Sequence, residues 1–279
     1  MTWKTLLCDR EGDVLKITVN RPQVLNAQSR VAIEEIDAAL AQAAQDDSVR
    51  VVIVAGAGRH FSAGHDLGSK EELEDRRRRG YPKDVSQEWV RSSELYLEAT
   101  LRWRDLPKPT IAQVQGYCIM GGLMLASACD LIVASEDARF ADRAVRWGGS
   151  HVQYFSFPWD VGPRKAKEYL FTGDYLTARE ALRLGLVNRV VPRERLDEET
   201  MALAQRIALQ DPFALRLAKL SVNSMLDEMG QRNAITSAFN VHMLSVAHRQ
   251  MTGGGFEGLA GERVGERVRA RDEKFGDHR

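Results

Sequence analysis

The sequence has little cysteine and no net charge. Its three cysteines are an odd number in 279 residues, and they are scattered along the chain. Small secreted domains depend on paired cysteines, so this usage favours a reducing compartment. Acidic and basic side chains number 39 each, which gives a formal net charge of zero. Nothing in the composition therefore indicates nucleic acid or a membrane surface as a partner.

Long apolar runs are also missing. No stretch reaches the roughly 20 residues that a membrane-spanning helix needs. The first residues, MTWKTLLCDREGD, lack the apolar segment of a signal peptide. We therefore expect a cytoplasmic protein. With 44% hydrophobic and 28% charged residues, the chain has an ordinary globular composition, and it is long enough to bury a large core.

The most informative stretch runs from Ile111 to Ser135. It contains two apolar runs that are typical of strands, Ile111 to Val114 and Leu131 to Ala134. Between them, Gly121 and Gly122 open a short helix of small and apolar residues. Glycine allows a close backbone approach, and the first N–H groups of a helix lack partners within it, so Gly121 is a candidate donor to an anionic oxygen. The alternative is that both glycines only pack the helix tightly on a sheet.

Strands and helices alternate elsewhere along the chain. Val14 to Val19 alternates apolar and polar residues like a half-buried strand, whereas Val49 to Ala55 has the apolar character of a buried one. Apolar residues recur at helical spacing after Ser29. From Arg164 to about Arg249 helical patterns dominate, interrupted by a short strand at Val187 to Val191. This order predicts strand and helix units followed by a helical C-terminal part.

A second glycine-containing motif leads to a family resemblance. After the apolar run at 49–55 come Gly56-Ala57-Gly58 and FSAGHDL, residues 61–67. The chain resembles the crotonase family of enoyl-CoA hydratases and isomerases across residues 10–250. The motifs that carry the resemblance are, in chain order, Asn20-Arg21-Pro22, Leu25-Asn26-Ala27, FSAGHDL, GYCIMGG with Ala126, Cys129-Asp130-Leu131, Phe171-Thr172-Gly173 and Gly185-Leu186-Val187-Asn188.

The resemblance implies an α/β fold, a crotonase-like spiral of ββα repeats with a C-terminal helical oligomerisation region. Residues 1–192 would form the spiral core with the acyl-CoA site, 193–252 the C-terminal helical region and 253–279 a charged tail. Relatives assemble through the helical region, so a homotrimer or a dimer of trimers is expected. The expected partner is an acyl-CoA substrate. Coenzyme A is part of that substrate, and we expect no other cofactor, no metal, no nucleic acid and no membrane.

The resemblance also implies a site. Reactions of CoA thioesters pass through an enolate or a tetrahedral anion, so negative charge develops on the carbonyl oxygen. The residues aligned with the family's two main-chain donors to that oxygen are His65 and Gly121. The implied substrate-binding residues are Gln23, Val24, Leu25, Ala63, Asp66, Leu67, Gly68, Met124, Ala144 and Trp147.

One of these positions departs from the family's binding pattern. Where relatives often carry a lysine for the CoA phosphate, residue 23 is glutamine. Arg21, Arg59 and Lys70 are alternative phosphate ligands, and the sequence does not choose among them. Asp66 is expected to cap nearby main-chain N–H groups.

Two acidic positions depart from the family more sharply. Hydratases of the family hold and activate a water with two glutamates, and the residues aligned with them are Met124 and Ala144. Neither side chain transfers a proton, whereas a general acid or base typically contributes about 10² to 10⁴ in rate. The sequence thus keeps the residues that hold the anion and replaces the acidic pair, which argues against standard enoyl-CoA hydration.

Two histidines are candidates for the catalytic base. His151 lies near the point where a carboxylate occurs in relatives that hydrolyse or isomerise other thioesters. Histidine suits proton transfer near neutral pH, but a single histidine in a loop is also commonly structural. The side chain of His65 is a rival candidate. Either an acyl pocket or core packing would explain the aromatic residues that follow the second glutamate position, Trp147, Tyr154, Phe155 and Phe157.

Three functions remain open. The first is isomerisation, hydration of an unusual substrate or hydrolysis of a CoA thioester. The second is a true enoyl-CoA hydratase with water-activating groups elsewhere, and the third is an acyl-CoA-binding homologue without turnover. The charged segment from Ser69 to Gly80, which contains Arg76 to Arg79, is expected to be a solvated helix end or a lid over the ligand.

Overall fold

The computed structural model describes residues 3–252, 266, 270 and 272–274. Of the predicted charged tail, residues 253–279, only 266, 270 and 272–274 are among the described residues. The strands are β1 Leu6–Glu11, β2 Val14–Val19, β3 Val51–Gly56, β4 Thr110–Val114, β5 Tyr117–Ile119, β6 Leu131–Ser135, β7 Arg139–Ala141, β8 Leu176–Thr177 and β9 Arg189–Val191.

The helices fill the intervals and the C-terminal part. They are α1 Arg30–Gln45, α2 Lys70–Arg79, α3 Val85–Ser92, α4 Ala99–Arg104, α5 Gly121–Ala128, α6 Phe157–Val161, α7 Pro163–Thr172, α8 Ala178–Leu184, α9 Leu196–Ala208, α10 Pro212–Glu228 and α11 Gln231–Met251. A π-helical turn, Ser93–Glu98, joins α3 to α4. No helix in the described ranges is long and apolar enough to cross a bilayer.

Two sheets organise the chain. The larger has the order β1-β2-β3-β4-β6-β9, and the smaller has the order β5-β7-β8. β1 and β2 are antiparallel, and every other pair in the large sheet is parallel. Parallel strands need crossover connections, which helices such as α1 and α5 supply. The α/β fold expected from the sequence is therefore confirmed.

The strand β3 shows why its sequence is apolar throughout. Every one of its residues is buried. Because side chains alternate between the two faces of a strand, Val51 and Ile53 pack with Ala204 of α9, while Val52 and Val54 pack with Ile36 of α1. A strand covered on both faces needs no polar positions.

The helical predictions also hold. Helix α1 begins after Ser29, whose Oγ accepts the Ala32 N–H at 3.2 Å, a regular N-cap. The predicted strand at Val187 to Val191 begins at Arg189 and is otherwise as expected. The three predicted C-terminal helices are α9, α10 and α11. Helix α11 lies close to α5, because Phe239 and Met243 share a buried cluster with Met124 of α5.

Candidate active site

The loop at residues 62–66 is held on one side by β5. The N–H of Ser62 donates to the Tyr117 carbonyl at 2.9 Å, and its carbonyl accepts the Ile119 N–H at 3.1 Å. These two bonds form a parallel bridge. Since β5 leads directly into α5, the same bonds fix the loop relative to the first residue of that helix.

The other side of this loop is held by Gln28. Its N–H donates to the Gly64 carbonyl at 2.7 Å, and its carbonyl accepts the Asp66 N–H at 2.9 Å. In a parallel bridge of this kind, the residue between the two bonded ones directs its own N–H away from the partner. The main-chain N–H of His65 therefore points away from Gln28.

The start of α5 is in direct contact with this loop. As the first helical residue, Gly121 has an N–H without an intrahelical acceptor. A Cβ placed on Gly64 would lie 3.2 Å from the Gly121 nitrogen. One placed on Gly121 would lie 2.6 Å from Cε1 and Nδ1 of His65. Two main-chain amides on segments this close can stabilise an oxygen that gains negative charge.

The two glycines of α5 have different reasons to be glycine. A side chain on Gly121 would collide with the imidazole of His65. A side chain on Gly122 would instead meet the Ser62 carbonyl oxygen at 2.6 Å, which is a helix-packing constraint. Close packing thus requires glycine at both positions, and the role of the Gly121 amide as a donor stays a prediction.

Met120 has an unusual main-chain conformation that the sequence does not predict. It has φ 52° and ψ −119°, a region that glycine occupies readily and other residues rarely. Its N–H donates to the Ala141 carbonyl at 2.9 Å, and its own carbonyl accepts the Met124 N–H at 3.1 Å. Such strain, about 1–3 kcal/mol, persists where the surroundings impose it, often at functional sites.

The imidazole of His65 lies between Gly121 and the ring of Tyr96, whose centroid is 4.1 Å away. Its Nε2 lies 3.3 Å from Oε1 of Gln153. Within the described part of the chain, Nδ1 is buried and has no hydrogen-bond partner. Burial lowers the pKa of His65 to about 4, so the ring is neutral at physiological pH. Tyr96 is brought here by the π-helical turn, which helical periodicity in the sequence does not reveal.

Met124 and Ala144 lie in apolar or packed surroundings. Met124 is 2% exposed and packs with Leu97, Val152 and Phe239. Ala144 is buried, and its N–H donates to Oδ1 of Asp142 at 3.1 Å. Neither position offers a group that could take or give a proton.

The carboxyl group of Asp142, two residues before Ala144, has a structural role. Its Oδ1 accepts the Ala144 N–H, and its Oδ2 accepts the Val152 N–H at 2.8 Å. Burial raises the pKa of Asp142 to about 6, against the opposing effect of these bonds. The carboxylate thus closes the loop that carries His151.

His151 and His242 are linked through the main chain. The Nδ1–H of His242, on α11, donates to the His151 carbonyl at 2.6 Å, and the two rings are 6.1 Å apart. The Nδ1 of His151 bonds the Val152 carbonyl at 2.8 Å, and its ring stacks on Phe155. Burial lowers the pKa of both histidines, that of His242 to about 4. His242 was missed as a site residue, and its signal was a polar side chain on the apolar stripe of α11.

The residues implied for the CoA arm lie at the surface. Gln23 and Leu25 are exposed, and Val24, Ala63, Leu67 and Gly68 are partly exposed. Asp66 is different: its carboxylate is buried and accepts the N–H groups of Gly68 and Ser69 at 3.1 and 2.8 Å. The capping role expected for Asp66 is confirmed.

Arg21 is not available as a phosphate ligand. Its side chain is 2% exposed and pairs with Asp66 at 2.8 Å. A second bond joins it to Glu71, also at 2.8 Å. A guanidinium fixed in this way holds the loop together, so the sequence-based proposal of Arg21 for the CoA phosphate is wrong. Arg59 and Lys70 are exposed and stay candidates.

The aromatic residues after Ala144 do not form one wall. Tyr154 shares the buried cluster of Met124, but Phe157 belongs to the main core, and Phe155 packs against that core. Trp147 is partly exposed, and its carbonyl accepts a bond from Arg249 at 3.5 Å. The four rings therefore lie in different surroundings, and an acyl pocket that includes Trp147 stays a prediction.

The charged segment at 69–80 is a helix fixed to its neighbours. In α2, Glu72 accepts the Arg30 N–H at 3.0 Å and pairs with Arg76 at 2.8 Å. Asp75 pairs with Arg79 at 2.9 Å. Arg76, Arg78 and Arg79 each pair with an acid of the same helix, and Arg79 also pairs with Glu34 of α1. Whether this helix also covers a ligand stays a prediction.

A sequence profile described as enoyl-CoA hydratase/isomerase matches residues 9–260. The chain is 44% identical to a probable enoyl-CoA hydratase from Mycobacterium smegmatis, with a TM-score of 0.85 over 91% of this chain and 99% of that one. It is 46% identical to a probable enoyl-CoA hydratase from Mycobacterium thermoresistibile, with a TM-score of 0.84 over 90% and 98%.

The chain is also similar to a protein described as an isomerase. A monofunctional enoyl-CoA isomerase from Mycobacterium smegmatis is 32% identical, with a TM-score of 0.64 over 80% of this chain and 94% of that one. The same overall architecture thus occurs in proteins described as hydratases and in one described as an isomerase.

Proposed function

We propose that this chain, which belongs to the enoyl-CoA hydratase/isomerase (crotonase) family, is an acyl-CoA-processing enzyme. It would stabilise a thioester enolate or oxyanion with the main-chain N–H groups of His65 and Gly121. Its substrate is an acyl-CoA, and the reaction is that of a lyase, an isomerase or a hydrolase without a separate cofactor.

The proposal rests on one observation. The loop that carries the His65 amide and the helix start that carries the Gly121 amide are in contact close enough to exclude a side chain on Gly121. A preorganised donor of this kind is worth about 3 kcal/mol of transition-state stabilisation. Both donors belong to the main chain, so they act on any thioester whose carbonyl reaches them.

The surroundings of Met124 favour proton transfer on the acyl chain over addition of water. In the family, water is held by two glutamates, and Met124 is packed among apolar side chains here. An apolar side chain neither orients nor deprotonates a water molecule. We therefore place enolate-forming reactions, such as movement of a double bond, ahead of standard enoyl-CoA hydration.

A panel of CoA thioesters tests this function. Purified protein is incubated with crotonyl-CoA, 3-hexenoyl-CoA and saturated acyl-CoAs, and products are separated by chromatography with mass detection. We expect conversion of 3-hexenoyl-CoA and little hydration of crotonyl-CoA. Binding without conversion of any thioester would indicate a non-catalytic homologue. Rapid hydration of crotonyl-CoA would contradict the argument from Met124 and Ala144.

The anion pocket is tested separately with Gly121→Pro. Proline lacks the main-chain N–H, so this variant should lose activity by at least about 100-fold. A variant that is folded by circular dichroism and still fully active would overturn the role of the Gly121 amide.

A further inference from the structure

The imidazole of His65 holds a lone pair that the described structure leaves unused. Its Nε2 faces the side-chain oxygen of Gln153 at 3.3 Å. That oxygen can only accept, so the ring proton lies on Nε2 and Nδ1 is an acceptor. Nδ1 is buried without a partner in the described residues. Buried acceptors are normally satisfied, and an exception has a cause such as a bound water or ion, local strain or a catalytic role.

The neighbours of this ring keep it in place and keep it neutral. Tyr96 covers one face, and the Tyr96 hydroxyl accepts a bond from Arg91 at 3.3 Å. The positive charge of Arg91 disfavours a second positive charge on His65. The ring therefore presents an acceptor at Nδ1 on the side of Gly121, where Nδ1 would lie 2.6 Å from a Cβ of that residue.

The buried imidazoles of His151 and His242, two of the three others in the described residues, have different neighbours. The ring of His151 bonds Val152 and stacks on Phe155, and the ring of His242 bonds the main chain of His151. The contact with Gly121 belongs to His65. Of these three side chains, it is the one placed beside the pair of amides.

We propose that the His65 side chain is a catalytic base, with Nδ1 accepting a proton from the acyl Cα, and that Gln153 is a positioning residue that fixes its tautomer. The Nδ1 lone pair forms the new N–H bond as the Cα–H bond breaks. The C–H electron pair becomes the C=C bond of the enolate, and the carbonyl π pair moves to the oxygen held by the two amides. Return of the proton to carbon restores the neutral ring.

This inference rests on the proposed function and is tested by exchange of hydrogen at Cα. Butyryl-CoA is incubated in D2O with each variant, and deuterium incorporation is followed by mass spectrometry. His65→Ala removes the ring but keeps the main-chain N–H, so it separates the side chain from the amide. His65→Asn is a second variant, which keeps a polar group near the Nδ1 position without its basicity. His248→Ala, an exposed site on α11, is the matched control.

The wild type and His248→Ala should exchange at the same rate, whereas His65→Ala and His65→Asn should lose at least about 100-fold. Their Kd for butyryl-CoA, measured by calorimetry, should stay within about threefold of the wild-type value. Exchange by both His65 variants within about threefold of wild type would overturn the inference alone. A wild type that binds butyryl-CoA without exchange would also overturn it. A wild type that binds no acyl-CoA would overturn the proposed function itself.

The positioning role of Gln153 has its own readout. In Gln153→Glu a carboxylate would face Nε2 and favour the protonated ring, so the acid limb of the exchange rate should move to higher pH than in the wild type. A residue that is merely structural would change the rate without moving this limb, and that result would remove Gln153 from the proposal.

Discussion

Gly121 and the imidazole of His65 occupy adjoining space, and this contact limits what each residue can become. A Cβ on Gly121 would lie 2.6 Å from two atoms of the ring and 2.8 Å from Oε1 of Gln28. Atoms at such distances repel, so one of the groups has to move. Gly121 is thus sterically coupled to the side chain of His65, the other residue whose main-chain amide is proposed as a donor.

This coupling predicts a non-additive pair of variants. Gly121→Ala should lower the free energy of unfolding by about 1–3 kcal/mol, because the added methyl group overpacks the site. The same change in a His65→Ala background should cost less, since the ring is gone. Urea unfolding of the four proteins measures the coupling. Equal costs in both backgrounds would show that the ring does not lie against Gly121.

A second prediction concerns the position aligned with a catalytic glutamate. Met124→Glu would place a carboxyl group among Leu97, Val152 and Tyr154, and burial raises a carboxyl pKa. The variant should be less stable by at least about 2 kcal/mol, and the loss should grow as pH rises and the group ionises. Met251→Glu, at an exposed site, is the control for thermal unfolding at two pH values. Equal stability of both variants would contradict the closed packing around Met124.

Single residues also show the limit of sequence reasoning. The glycine motif singled out Gly121, and the structure shows its close contact with His65; its role as a donor stays a prediction. The positive φ of Met120 could not be predicted, because the surrounding structure imposes it and no local sequence pattern indicates it. Arg21 was misjudged because its burial depends on Asp66, 45 residues away.

At the scale of elements, α11 and the loop after Ala144 hold each other over the site. The link is the bond from His242 to the His151 carbonyl, supported by Phe239 and Met243 against Met124. The sequence predicted a helix here but not its partner, since periodicity reports which face is buried and not what covers it.

Burial of the His242 side chain predicts a pH dependence of stability, because burial lowers its pKa more than the bond to His151 raises it. His242 has a folded pKa of about 4 and an ordinary value of 6.5, so protonation favours the unfolded chain. The stability that neutral His242 contributes to the folded state is complete above about pH 6.5 and is lost as the pH falls towards 4. Between pH 7.5 and 5, the thermal midpoint of the wild type should fall at least about 3 °C more than that of His242→Gln.

The control for this experiment is His248→Gln, which changes an exposed histidine of the same helix. It should follow the wild type at both pH values. If His242→Gln also follows the wild type, burial of neutral His242 does not cause the loss of thermal stability at low pH.

At the scale of the whole molecule, the large sheet was the most predictable part. The buried strands β3 and β4 and the alternation of β2 follow from period and composition. The order of the strands and the second sheet came only from the structure, because pairing between distant segments leaves no local pattern. The division of the chain at residue 192 stays a prediction.

The helical C-terminal part carries an exposed apolar face that fits the expected assembly. On α10, Phe213, Leu217 and Leu220 are 64%, 44% and 57% exposed, and contiguous exposed apolar patches often mark interaction surfaces. We predict a homotrimer or a dimer of trimers by light scattering. Phe213→Glu should shift the protein towards smaller species, with Arg216→Glu on the same helix as a control. A monomeric wild type would contradict the prediction.

The most direct measurement of the whole account is a crystal structure with a bound acyl-CoA. We predict that the thioester oxygen lies about 2.7–3.1 Å from both the His65 and Gly121 main-chain nitrogens, with Met124 and Ala144 beside the acyl chain and Nδ1 of His65 facing Cα. A thioester oxygen bound elsewhere, or a carboxylate that reaches the acyl carbons in place of the missing glutamates, would contradict it.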